Sequence, residues 1–113
     1  MEIKIIKTSI NREELKKIAE KQFGDLVKAV VDVEKGIMAI GPDLHSDGEI
    51  LLEKEEGSKR EHIWGINLRL EEDELVEFDS VINLKPVFNN RSRNVENPKT
   101  REKIKEIVNN LII

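Results

Sequence analysis

The 113-residue sequence predicts a single α+β domain, residues 1–113, with a mainly antiparallel sheet built from two hairpins. Three observations predict it. Two pairs of apolar-alternating stretches are each joined by a short turn, helical stretches with recognisable ends lie between and after them, and the length fits one core. The order read from the chain is β-α-β-β-α-β-β-α, with adjacent strands antiparallel and the helices on one side of the sheet.

Ile3 and Ile5 alternate with Lys4 in a short first strand, which Thr8 and Ser9 end. Asn11 and Glu14 form a capping-box pattern, Ile10 can staple onto Leu15, and Leu15, Ile18, Ala19, Gln22 and Phe23 give a helical stripe that Gly24 closes. Leu26 to Glu34 is valine-rich and reads as a central strand. Lys35-Gly36 turns the chain into a second strand over Ile37 to Gly41, through either a two-residue turn or a Gly36 bulge. Pro42 ends it, and Asp43 or Ser46 can cap a helix running toward Glu55, in which Gly48 is the weak point.

After the Gly57-Ser58 break, His62 to Leu70 sets Trp64, Ile66, Leu68 and Leu70 on one face. Val76, Phe78, Ile82 and Leu84 share a face of the next strand with Ser80, which reads as a small core residue with a satisfied hydroxyl. Matching these faces pairs Leu70 with Val76, Leu68 with Phe78, Arg69 with Glu77 and Asn67 with Asp79, and leaves the second face polar. Lys85-Pro86 closes the strand, and Asn97 with Pro98 opens a final helix carrying Ile104, Ile107, Val108 and Leu111.

Composition narrows the function. The absence of cysteine removes disulfides, thiolate metal sites and a cysteine nucleophile. A charged first segment and the lack of any long apolar run point to a cytoplasmic protein with no membrane partner. The net charge of −4 argues against nucleic acid as a partner. Abundant Glu and Lys lean toward a thermophilic source, although nine Asn residues pull the other way.

The stretch Asn83 to Pro98 concentrates amides and guanidinium groups between a strand and a helix. Asn90, Arg91, Ser92 and Arg93 are the ligand-binding candidates, because arginine forks match phosphate and carboxylate geometry and free N–H groups of the following helix add positive potential. The competing reading has the arginines bonding local carbonyls or Glu96 and the asparagines shaping turns. No glycine-rich phosphate cradle accompanies them.

Asp43 to Gly48 matches the opening of an EF-hand loop, but Lys54 occupies the position of the bidentate glutamate and His45 replaces an oxygen ligand, which argues against calcium. His45, Asp47 and Glu49 are the catalytic candidates: in an extended segment they project together with Asp43, whereas in a helix His45 and Glu49 form an ordinary i,i+4 pair. The helical reading is preferred, so no metal site and no cofactor are assigned. His62 lacks a matched partner for base chemistry, and Trp64 belongs to the core face, with Gly65 allowing a close backbone approach.

Lys28 to Ile37 (Lys-Ala-Val-Val-Asp-Val-Glu-Lys-Gly-Ile), Trp64-Gly65-Ile66-Asn67 and Asn90-Arg91-Ser92-Arg93 followed by Glu96 together form a pattern that resembles a family of short, uncharacterised prokaryotic proteins. The resemblance covers most of the chain and implies no activity, cofactor or catalytic residue. Three functions therefore stand as expectations. The first is a small binding module for an anionic small molecule or an acidic protein surface; the second is a hydrolase-like enzyme on a phosphorylated or nucleic-acid substrate; the third is a structural homo-oligomer.

Overall fold

The computed structural model describes residues 2–113. The element order is β1 (Lys4–Ile6), α1 (Arg12–Lys21), β2 (Val27–Asp32), β3 (Ile37–Ile40), α2 (His45–Glu56), β4 (Ile63–Leu68), β5 (Val76–Glu77) and α3 (Pro98–Leu111). The α+β class and the order match the sequence reading. The five strands form one sheet, β1-β3-β2-β4-β5, antiparallel at every neighbouring pair. No helix among the described residues is long and apolar enough to cross a membrane.

The helices do not share one side. Leu15 and Ala19 of α1 and Ile104, Ile107, Val108 and Leu111 of α3 pack with Ala29, Val31, Met38, Ile40, Trp64 and Ile66. Leu52 of α2 packs instead with Val30, Ile37, Ala39, Ile63 and Ile82 on the opposite face. Double coverage explains why β2 and β3 are almost continuously apolar rather than alternating. Consecutive buried Val30 and Val31, and four buried residues in a row from Ile37 to Ile40, are its sequence trace.

The first hairpin has neither of the expected turns: Asp32 pairs with Ile37, and four residues, Val33 to Gly36, connect them. The Asp32 carboxylate accepts from the Glu34 and Lys35 N–H groups at 2.9 and 3.0 Å, and Gly36 takes the left-handed conformation at φ 69°. The second hairpin is displaced by two residues from the expected register, with Leu68 opposite Val76 and Asn67 opposite Glu77. Its cause is an earlier strand end: Arg69 N–H bonds the Leu75 carbonyl, so Leu70 belongs to the turn. A shift of two keeps Val76 and Phe78 on the face of Leu68 as expected, whereas Ile82, expected beside them, packs on the α2 face. Beyond Glu77 the expected strand is absent. Ser80, buried and accepting from Ile82 N–H at 3.3 Å, starts a 3-10 turn over Val81–Asn83 that crosses to the α2 face.

Asn11 caps α1 as expected, accepting from Glu14 N–H at 2.9 Å, while the Glu14 carboxylate turns toward Lys4 rather than closing the box. Phe23, expected in the core, is exposed beneath Lys28. Neither Asp43 nor Ser46 caps α2; Leu44 holds that position without a side-chain bond. Gly48 is the reason α2 sits so close to the sheet, since a Cβ there would stand 2.8 Å from a methyl of Val30. Alanine should improve helix propensity by ~1 kcal/mol but overpack a stiff, buried valine at a cost of about 1–3 kcal/mol. Gly48→Ala is therefore expected to lower stability in urea unfolding by about 1 kcal/mol, with a smaller loss in a Val30→Ala background.

Candidate functional site

β4 has six residues, and β5 pairs with only Asn67 and Leu68. Of the remaining outward backbone groups of β4, the Gly65 N–H and the carbonyls of Gly65 and Ile63 are met by the side chains of Asn83 and Lys85, while the Ile63 N–H donates to the Arg60 carbonyl. Gly65 N–H donates to Asn83 Oδ1 at 2.8 Å, and Asn83 Nδ2 donates back to the Gly65 carbonyl at 2.9 Å. One carboxamide thus does what a paired strand residue would do. Gly65 is required there, because a Cβ would fall 2.5 Å from Ser80 Oγ. The space that Gly65 leaves is filled by the side chains of Ser80 and Ile82.

Lys85 turns inward and is only 2 % exposed. Its ammonium donates to the carbonyls of Arg60, at 2.6 Å, and Ile63, and lies 4.3 Å from the centre of the Trp64 ring. Burial pushes its pKa down to about 8, opposed by the charge of Glu49 across from it on α2. Burial also raises the Glu49 carboxyl above its usual range.

Asn90, one of the ligand-binding candidates, is the hub of the loop. It is buried; its Nδ2 donates to the carbonyls of Asn83, Ser92 and Asn94, and its Oδ1 accepts from Glu96 N–H at 2.8 Å. Lys85 and Asn90 also pair through their backbones around Asn89, which takes the left-handed conformation. Arg91 is exposed, with its N–H on Glu96, and Ser92 is half-buried. Arg93 reaches outward, and its Nε lies 2.6 Å from Asp79 Oδ1, a contact that holds the Asp79 carboxyl below its usual range. The N–H groups expected to be free at the final helix are engaged: Asn97 Oδ1 accepts from Lys99 and Thr100.

Arg93 and Asn94 border a cleft of about 550 Å³ that continues onto Phe78, Arg101 and Lys105. Arg101 lies one turn into α3, where it stacks 4.2 Å over the Phe78 ring and donates to Asn94 Oδ1 at 2.6 Å. Lys105 follows on the same helix face. Sequence reasoning overlooked both cations, although their i,i+4 spacing directly after the arginine loop was the available signal. Glu74 and Asp79 supply the acids of this cleft.

His45, Asp47 and Glu49 lie in the first turns of α2. His45 is buried with Nε2 2.7 Å from the Ile66 carbonyl, so Nε2 carries the proton, and burial lowers its pKa. Asn67, expected on a solvated face, is buried below this helix end and donates to Glu77 at 2.8 Å. His45 and Arg91 do not meet in this cleft, nor in the larger one beside α1 or the smaller one beside the first hairpin turn.

Replacing Lys85 by methionine should leave the buried Ile63 carbonyl without its donor, while the Arg60 carbonyl keeps the Ile63 N–H, and cost about 1–3 kcal/mol. Between pH about 8 and 10.5 the unfolded chain retains the Lys85 proton that the folded chain has released. Wild-type stability is therefore expected to rise across this window relative to Lys85→Met, with the cost of burying the charge present in full below it; urea titrations at several pH values check this.

Comparison with curated proteins and with solved structures gave no match. A family model described as a protein of unknown function, DUF5674, matches residues 4–111, in line with the resemblance to an uncharacterised family. As the match spans nearly the whole sequence, the chain belongs to the DUF5674 family.

Proposed function

We propose that the protein is a small cytoplasmic binding module that holds an anionic ligand, or an acidic side chain of a partner, in the cleft between β5, the arginine loop and α3. The reading rests on one observation: Arg93, Arg101 and Lys105, from two separate segments, converge beside Phe78. Two features support it. Arg101 is held in place by Asn94 and Phe78 before any ligand arrives, which lowers the ordering cost of binding. The Asp79 carboxylate already sits on Arg93 in the manner expected of a ligand oxyanion, so an incoming anion would compete with it.

Within this reading Arg93 is the ligand-facing member of the original set, Asn90 builds the loop, and Arg91 and Ser92 flank the cleft. Titration with inorganic phosphate, followed by ¹H–¹⁵N NMR, is expected to shift Asn94, Arg101 and the Arg93 side-chain N–H. Arg101→Ala should weaken that binding about tenfold, the equivalent of one charge-assisted hydrogen bond. Shifts spread evenly over surface lysines, or none at Arg93 and Arg101, would count against the reading.

A further inference from the structure

The two edges of the sheet are finished differently. At the β4 edge, Asn83, Lys85 and the Arg60 carbonyl occupy the backbone groups of Ile63 and Gly65 that β5 leaves open. At the other edge β1 pairs only with β3, and among the described residues no strand or side chain bonds the outer backbone of Glu2 to Ile6. The segment is already beside the sheet at Glu2, whose carbonyl oxygen lies 3.2 Å from where a Cβ of Gly41 would project.

Side chains along this edge divide cleanly between its faces. Glu2 and Lys4 line a cleft against α1, and Ile6 is buried on the same face. Ile3 and Ile5 are half-buried on the other face, packed against the layer beneath α2. An unpaired edge that presents partly exposed isoleucines is incomplete as a surface.

We propose that a second copy of this chain completes it, β1 docking antiparallel on the partner's β1 about a two-fold axis, so that two five-stranded sheets join into one. A two-fold axis perpendicular to the sheet keeps each face on its own side, so an even-numbered residue must lie opposite an even-numbered one. Centring the pair on Lys4 opposes two ammonium groups. Centring it on Ile5 sets Ile3 against Lys7. Centring it on Ile3 sets Glu2 against the partner's Lys4, Lys4 against the partner's Glu2, and Ile3 against its own copy. Only this last register pairs opposite charges on one face and apolar groups on the other. Lysine on an edge strand ordinarily discourages pairing. Here Glu2, two residues away on the same face, gives that lysine a second partner beside Glu14 of its own chain in one register, and the next register sets two lysines against each other.

Sedimentation equilibrium of the full chain at low ionic strength, over a range of concentrations, tests the proposal. The wild type is expected to be a dimer in reversible exchange with monomer. Lys4→Glu and Glu2→Lys each place like charges opposite one another and should each weaken dimerisation about tenfold or more. The double exchange Glu2→Lys with Lys4→Glu should restore it. These side chains are exposed, and circular dichroism verifies that each variant is folded. A wild type that stays monomeric at every concentration overturns the proposal. So does a dimer insensitive to the single reversals, or a double exchange that recovers nothing.

Discussion

A buried strand edge must have its hydrogen bonds completed, and in this protein the constraint falls on the stretch of β4 that β5 does not reach. An unmet buried carbonyl or N–H costs about 1–3 kcal/mol, which is a large part of the net stability of a small domain. The chain meets the need with side chains. Asn83 supplies donor and acceptor to Gly65, and Lys85 supplies the donor to Ile63. Much of the rest follows. Gly65 is bare because Ser80 and Ile82 must come close, and the loop must cross to the α2 face to bring Asn83 into line.

The same arrangement sets the geometry of the candidate cleft. Asn83 Nδ2 also donates to the Arg93 carbonyl at 2.9 Å, which fixes the backbone at Arg93 and leaves its side chain on the outside with Asp79. Asn90 gathers the carbonyls of Asn83, Ser92 and Asn94 around one amide, and Asn94 in turn orients Arg101. The asparagines of this segment are thus framework, and the cations they position are the groups left to meet a ligand. A loop held by buried amides is stiff for its lack of regular secondary structure, a useful property in a binding site.

The fold class, the element order and the caps at Asn11 and Asn97 were legible in the sequence because each rests on local patterns: alternation, helical spacing and a polar residue before an apolar stripe. The second covered face was not, because Val30 and Val31 in succession fit a loosely alternating strand as well as one buried on both sides. Gly48 read as a weakness in α2 and is a packing requirement that only the distance to Val30 reveals. Lys85 read as a strand end, since nothing local predicts that a lysine will turn inward toward carbonyls some twenty residues away in the chain. In the arginine loop the sequence identified the residue types and their position between strand and helix. Which of them are buried, and that Arg101 and Lys105 join Arg93, depends on tertiary placement that sequence spacing does not encode.

Hydrogen exchange at the Gly65 amide tests the central claim most directly. If the Asn83 carboxamide substitutes for a neighbouring strand, Gly65 N–H in the wild type should be protected as strongly as the amides β4 bonds to β2. In Asn83→Ala its protection should fall selectively, while that of the β2-paired amides falls only by the overall loss of stability. A Gly65 amide that exchanges rapidly in the wild type, or whose protection is the same in both proteins, would contradict the account.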